Sequence, residues 1–515
     1  MRRTLQLLLI LLGTLPCLGQ DTVQYFWSGA LTSTSIHIRA RVSASNANVR
    51  VMACALPCDQ PPIWSSVISP LDVHDRVAPL VLEGLEPGTP YQYRFEVNGT
   101  LDNSPQHTGY FRTPPTGPAS FSFVVGSCNG SGAHPVWQSM RARDPLFFLS
   151  TGDLHYNDPN SEDVEIHRAP YRDAVLSPTP MTALLHEAPI AYVWDDHDFC
   201  GNTSDGSAIG RSNAAQAYRE YMPHYALPDS VSIDQSFTIG RVHFVLSDLR
   251  SNKSLGAMMS PAQHDWLLNE LLYAKANALV ACWVTPLTWN SIAWEENWGC
   301  QPFERNMLAD ALRDLGIADL FILAGDAHML AIDDGTNGDF STGMNNPARY
   351  PIFQAAAINR SGSYKGGTFN QGGVFPNPDG YRGQFGEVMV DDDGEQVCIT
   401  FNGWRTDSMS AAISLVNTYT FCRAPGSTSS ANTAPNDRTQ ATALVDEHGL
   451  QLRWPGAAGP GTIRLYDNVG HLLYEHRVMW LDGRAELPMT DLPNGPLIVR
   501  MTHAEGATTV RIIAR

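Results

Sequence analysis

Four short stretches of this 515-residue chain gather side chains that bind cations: Gly126-Ser127-Cys128, Gly152-Asp153-Leu154-His155-Tyr156, Trp194-Asp195-Asp196-His197-Asp198 and Gly325-Asp326-Ala327-His328. The three carboxylates and the imidazole within 195–198 would repel and titrate against one another unless something positive sat among them. Carboxylates suit hard cations such as calcium, magnesium or manganese, and imidazole suits iron or zinc. A thiolate with a phenolate requires a metal able to hold both deprotonated, which ferric iron can do and calcium alone would not. One Asp after a strand commonly caps a helix or forms a turn, and a lone Cys is commonly core. Four such stretches in the same setting point instead to one multi-metal site. Two metals roughly 3.5–4 Å apart lower the pKa of a bound water, align it with a phosphorus atom and neutralise the developing oxyanion. A neighbouring imidazole that is not a ligand can then protonate the leaving alcohol.

Each stretch follows an apolar run of strand length: Phe121 to Val125, Leu146 to Leu149, Ala188 to Trp194 and Leu320 to Ala324. Between them the pattern predicts helices over 134–143, 213–221, 261–277 and 304–315, with Ser212 as the cap of the second and Pro223 ending it. Strands are expected at 121–125, 146–150, 279–284 and 320–323. Strands alternating with helices imply an α/β core, whose sites lie at the carboxyl ends of the strands. Residues 21–116 differ in texture, alternating in short runs such as Ser35 to Val42 with Pro-Gly turns, which reads as a β-sandwich. There Leu85-Glu86-Pro87-Gly88-Thr89-Pro90-Tyr91-Gln92-Tyr93 resembles the tyrosine corner of fibronectin type III-like modules. Residues 424–440 have linker composition, and a small all-β segment follows.

A hydrophobic content of 43% with 17% charged residues belongs to a folded protein, and the length suggests two to four domains. The net charge of -18 argues against duplex nucleic acid or an anionic membrane as partner, yet permits a phosphate ester where bound cations reverse the sign of one cleft. Arg2 and Arg3, an apolar run from Leu5 to Leu12 and the small residues Cys17 and Gly19 read as a signal peptide over 1–19. No later run is long enough to span a bilayer, so an exported protein is expected. Export permits disulfides, with Cys54–Cys58, Cys282–Cys300 and Cys398–Cys422 as local pairs and Cys128 and Cys200 left over. Five glycosylation sequons, starting at Asn98, Asn129, Asn202, Asn252 and Asn359, are read as chance, because a glycan on two of them would block the metal site. Arg250, at the end of a strand-like run, is a candidate phosphate clamp or an ion-pair member. Asn202 reads as a ligand or a turn former; Trp289, Trp294 and Trp298 as pocket walls or core; His155 as catalytic, supporting or solvent-facing.

Taken in order, the four stretches resemble the PhoD-like alkaline phosphatases of the calcineurin-like metallophosphoesterase superfamily, whose pattern is Gly-Ser-Cys, Gly-Asp-x-x-Tyr, Trp-Asp-Asp-His-Glu/Asp and Gly-Asp-x-His. The resemblance spans about 119–422. It implies an α/β fold with a metallophosphoesterase-like β-sandwich flanked by helices over 118–424. A fibronectin/Ig-like sandwich (20–117) precedes it, and a linker (425–440) and a β-rich domain (441–515) follow. It further implies that Cys128 and Tyr156 hold Fe(3+), that Asp153 bridges to a Ca(2+)-type site, and that Asp196, Asp326 and His328 complete the ligands, with other divalent cations as substitutes. Asp195 is a ligand or a supporting residue, and His197 takes the acid role. The Asp-x-His opening of the wider superfamily is replaced here by Gly-Ser-Cys.

The C-terminal segment, with Leu492-Pro493-Asn494-Gly495 and the closing Val510 to Arg515, resembles a type A sorting domain of the type IX secretion system, although Pro496-Leu497 stands where that pattern has x-Tyr. It implies secretion machinery as a partner and a secreted, cell-surface or outer-membrane location. The expected activity is exported hydrolysis of phosphate mono- or diesters, small or polymeric, by a metal-activated hydroxide. The alternatives are a surface binding protein with a structural metal site and a metal-dependent hydrolase of non-phosphate esters.

Overall fold

The computed structural model describes residues 22–292, 296–342, 349–362, 365–372, 382–406 and 409–424, with strands between 442 and 514. The apolar leader 1–19, the linker 425–440 and Trp294 lie outside the described residues.

Two mixed sheets face each other across the central core. In the first, Phe121–Gly126, Phe148–Ser150 and Ile190–Tyr192 run parallel, with Val124 opposite Phe148 and Phe148 opposite Ile190. Both faces of these strands are covered, which is why they read as unbroken apolar runs instead of alternating ones. The antiparallel strands Gln384–Asp392, Val397–Thr406 and Ile413–Arg423 extend this sheet on one side. The second sheet runs Gln235–Ile239, Val242–Leu246, Val280–Thr285, Leu320–Ala324, Ile352–Ala355, Leu330–Asp333 and Gln371–Gly372. Aromatic rings join the layers: Phe123 stacks on Phe147 at 4.7 Å and meets Phe244 edge-on at 5.4 Å, and Phe353 stacks on Phe401 at 4.7 Å.

Helices Pro261–Asn277 and Pro302–Asp314 cover the outer face of the second sheet. The first of them bears Leu267, Leu271 and Ala274 at helical spacing against Trp283 and Ile322, each buried leucine contributing roughly 1.5–3 kcal/mol. Ser260 accepts the Gln263 amide at 3.3 Å and Gln263 Oε1 accepts the Ser260 amide at 3.0 Å, so the Ser-Pro-x-Gln start sets the helix where its pattern predicts. The helix expected over 213–221 begins earlier, at Arg211, with Ser212 inside its first turn. Gly210 is the N-cap and offers no side chain to the first turn, and Asn160 Oδ1 accepts the Gly210 amide at 3.1 Å.

The N-terminal module is less separate than its sequence boundary at 117 implies. Its strands Val23–Gly29, Ser35–Val42 and Val77–Glu83 prolong the first sheet, Gly29 pairing in parallel with Ile190. A side chain at Gly29 would strike the Ile190 carbonyl, so this junction needs glycine. Phe26 packs across to Phe95 at 5.0 Å on the facing sheet, built around Val49–Ala55 and Pro90–Val97. The Tyr91 hydroxyl accepts the Glu86 amide at 2.8 Å, five residues upstream, as in a tyrosine corner.

Beyond the linker, two antiparallel sheets of three and four strands enclose Leu450, Leu452, Ile463, Leu465, Val499 and Met501. Cys54–Cys58 and Cys398–Cys422 are disulfides. The expected Cys282–Cys300 bond does not form: Cys282 sits between Phe244 and Phe321 in register and faces the inter-sheet core, whereas the Trp298–Cys300 turn packs toward the helix-covered face. Among the described residues, no helix is long and apolar enough to cross a membrane.

Candidate metal centre

The four strand-end stretches converge on one point. Cys128, Asp153 and Asp326 each adopt a left-handed backbone, with φ of 59°, 53° and 58°. For non-glycine residues this costs of order 1–3 kcal/mol each and persists only where surrounding structure imposes it. Two glycines bring the loops together. A Cβ on Gly152 (φ +104°) would lie 2.5 Å from Asp195 Cβ, and one on Gly325 would lie 2.6 Å from Thr151 Oγ1 and 2.7 Å from Ser127 Oγ. Backbone bonds fasten the first two loops: the Cys128 amide to the Gly152 carbonyl at 3.3 Å, and the Asn129 amide to the Asp153 carbonyl at 2.8 Å.

The side chains then line up. The Tyr156 hydroxyl donates to Asp153 Oδ2 at 2.7 Å and lies 3.4 Å from His328 Nε2. Asp153 Oδ1 accepts the His197 amide at 3.3 Å. Ligand atoms of Asp153, Asp196 and His197 all fall within 4.8 Å of one another. Cys128 is fully buried, its Sγ 3.3 Å from Ser127 Oγ and 3.7 Å from the Asp326 carbonyl. His328 gives Nδ1 to the Ser361 carbonyl, which turns Nε2 toward Tyr156. The His197 ring lies 4.1 Å from the Tyr156 ring, and its Nδ1 is bound to Asp158 Oδ1 at 2.5 Å.

Burial and the crowd of acids dominate the electrostatics. Burial first, then the charges of Asp196, Asp195 and Asp198, pushes the Asp153 carboxyl well above its usual range. Burial, followed by Asp153 and Asp326, does the same to the Cys128 thiol. Burial opposes ionisation of Asp196 too, but there the Arg250 charge prevails and holds it at about 2. Burial pushes His328 down to about 4, so its imidazole is neutral and able to ligate at neutral pH. Asp195 Oδ2 and Asp326 Oδ2 are buried with no hydrogen-bond partner among the described residues. A thiol, a phenol, four clustered carboxyls and an imidazole, two of them with an orphaned oxygen, form a donor set that fits bound cations.

Some expected residues take other places. Arg250 is 0% exposed; its Nε donates to Asp195 Oδ1 at 2.5 Å and its Nη1 to Glu296 Oε2 at 2.7 Å. A guanidinium so enclosed reaches phosphate only through the carboxylates it holds, so it positions the site and is not the clamp expected. His155 is buried, is pushed down to about 3 by burial, and meets Tyr171 edge-on at 5.5 Å, which excludes the solvent-facing reading. Asp198 supports its own loop, accepting the Asp195 amide at 2.7 Å and the Leu154 amide at 2.9 Å. Trp289 and Trp298 are core, in contact with Trp283, and Asn202 is exposed. Asn129 and Asn359 use their amides internally, toward the Leu154 and Ser131 carbonyls, which leaves no room for glycans. Glu296, Lys365 and Asp158 join the site unannounced by any local pattern. A buried Arg250 demanding a second carboxylate is the one signal that could have pointed to Glu296.

The comparisons with known proteins agree with this geometry. Residues 121–364 match the PhoD-like phosphatase family. On that match the chain is a metal-dependent phosphoric ester hydrolase. A solved structure of PhoD superposes with a TM-score of 0.61 at 16% identity, covering 78% of this chain and 90% of that one. The purple acid phosphatase PPD1 from yellow lupin (Lupinus luteus) seeds gives a TM-score of 0.56 at 12% identity, covering 78% of this chain and 74% of that one. These two likenesses show a metallophosphoesterase-like fold. No curated protein matches the chain.

Proposed function

We propose that this chain hydrolyses phosphate mono- or diesters outside the cell or on its surface, with iron and calcium held by Cys128, Asp153, Tyr156, Asp196, Asp326 and His328. The observation that carries this reading is the convergence of Asp153, Asp196 and His197 ligand atoms within 4.8 Å, at the ends of buried strands. When bound, the ions supply the positive charge that draws an anionic ester into an acidic cleft, and they acidify a water for attack.

The chain's own residues do the rest. Asp158 accepts the Nδ1–H of His197 and orients the ring, so the proton given to the leaving alkoxide is the Nε2–H of the imidazolium. Arg250 holds Asp195 in place and lies 3.8 Å from Asp196, keeping Asp196 ionised, while burial still pushes the Asp195 carboxyl well above its usual range against the Arg250 charge. The Tyr156 hydroxyl, bound to Asp153, links the thiol-bearing side of the site to the acidic one. Export rests on the leader at 1–19, and delivery to the surface rests on the C-terminal resemblance to a sorting domain.

The substrate class is tested by comparing rates on an aryl phosphate monoester and the matching bis-aryl diester, with iron and calcium supplied. The faster of the two assigns the class, and turnover of acyl esters alone would contradict the proposal. Export is tested by N-terminal sequencing of protein recovered outside the cell, with Gln20 expected as the first residue.

A further inference from the structure

The side chain best placed to meet the substrate's phosphoryl group is not in any of the four stretches. Lys365 lies just past the end of the family match, on the loop that follows strand Ile352–Ala355. Its Nζ donates to Asp326 Oδ1 at 2.7 Å and to Glu296 Oε1 at 3.1 Å. Glu296 is itself locked, its other oxygen taking Arg250 Nη1 at 2.7 Å. The ammonium is therefore held rigidly beside a metal-ligand candidate by two carboxylates that cannot follow it away.

Two further details set its role. The Asp326 oxygens divide their work: Oδ1 takes the ammonium, while the buried Oδ2 has no donor among the described residues and is left for a cation. An ammonium also has three N–H donors, of which Asp326 and Glu296 use two. The Lys365 side chain keeps 23% of its surface exposed, whereas those of Asp326, Glu296 and Arg250 keep 3%, 2% and 0%. Of these four side chains, the lysine is the most exposed.

We propose that Lys365 is a phosphate-binding residue, its third N–H donating to a non-bridging phosphoryl oxygen of a substrate seated on the metal centre. The inference rests on the phosphoester reading above and adds a protein-borne cation to the ions. A preorganised ammonium of this kind binds a phosphoryl oxygen by a charge-assisted hydrogen bond without being carried in from solvent.

The test uses the full exported chain loaded with iron and calcium, inorganic phosphate as the calorimetric ligand, an aryl phosphate as substrate and elemental analysis for metal content. Lys365→Met is expected to raise both the phosphate Kd and the KM about tenfold or more with metals retained, and Lys365→Arg to recover most of the loss. Phosphate affinity within twofold of the parent in a metal-replete Lys365→Met overturns the proposal. So does joint loss of metal and phosphate in both variants, which would make Lys365 a prop for Asp326. A parent chain that binds phosphate through Lys365 yet hydrolyses no phosphate ester would refute the hydrolase reading and leave this one standing.

Discussion

Replacing Gly152 by alanine should damage the site through a distance that can be read directly. The added Cβ would sit 2.5 Å from Asp195 Cβ, 2.8 Å from the Asp195 nitrogen and 3.1 Å from the Trp194 carbonyl carbon. Carbon atoms pack comfortably at about 3.5–4.0 Å, so the 152 and 195 backbones must part by about 1 Å. None of these three atoms is the tip of a flexible side chain, and the two loops carry Asp153, Asp195 and Asp196. A displacement of about 1 Å at a reacting centre costs on the order of 100-fold in rate, or about 2.7 kcal/mol. Gly152 also has φ of +104°, so backbone strain must be separated from the clash. Gly84 provides the control, with φ of +73° and nothing within 4 Å of where an added Cβ would lie. The assay is kcat/KM on an aryl phosphate with metal content measured alongside. Gly152→Ala is expected to lose about 100-fold, and Gly84→Ala to stay near the parent. Gly152→Ala within about threefold of the parent, far short of that loss, would refute the argument that the glycine is what lets the loops meet.

Other substitutions probe separate parts of the account. Asp153→Asn should abolish turnover and release metal, whereas His197→Ala should slow turnover with metals still bound; unchanged metal content in the first or unchanged rate in the second would remove those roles. Arg250→Met leaves Asp195 buried without its cation and Glu296 with Lys365 in place of two partners, and should lower the stability of the central domain by about 3–5 kcal/mol in denaturant titrations. Arg250→Lys should not restore it, because an ammonium cannot fork to both carboxylates as Nε and Nη1 do; a loss below about 1 kcal/mol, far under that range, would contradict the pairing. His186 stacks on Phe26 at 4.0 Å, and burial, then the His107 charge, push it down to about 4. Because this folded value lies below the unfolded 6.5, its contribution is complete above pH 6.5 and falls as pH drops toward 4. His186→Gln should therefore lose less stability than the parent between about pH 7 and about pH 4.5, and an identical loss would show that His186 takes up its proton as readily in the fold as in the unfolded chain.

What the sequence conveyed followed the range of the interactions. Cys128, Asp153, Asp196 and Asp326 were legible because each lies within a few residues of the apolar strand that presents it. The helix at Pro261 was legible to the residue, since Ser260 and Gln263 cap it locally. By contrast the helix at Arg211 starts after a glycine N-cap that no local side-chain signal marks, and Glu296 and Lys365 enter the site through partners 46 and 39 residues away. The same holds for the sheet that runs through the boundary at 117: one parallel pairing, made possible by a glycine, joins segments that read as different textures. Cys282 was paired wrongly because spacing says nothing about which face of a strand a thiol occupies.

The most direct test of the central claim is turnover of an aryl phosphate by the purified chain before chelation, after removal of metal, and after iron and calcium are restored. The account predicts activity that disappears with the metals and returns with them, while Asp153→Asn stays inactive throughout. Hydrolysis that persists through complete metal removal, or a metal-replete chain that turns over no phosphate ester, would contradict it.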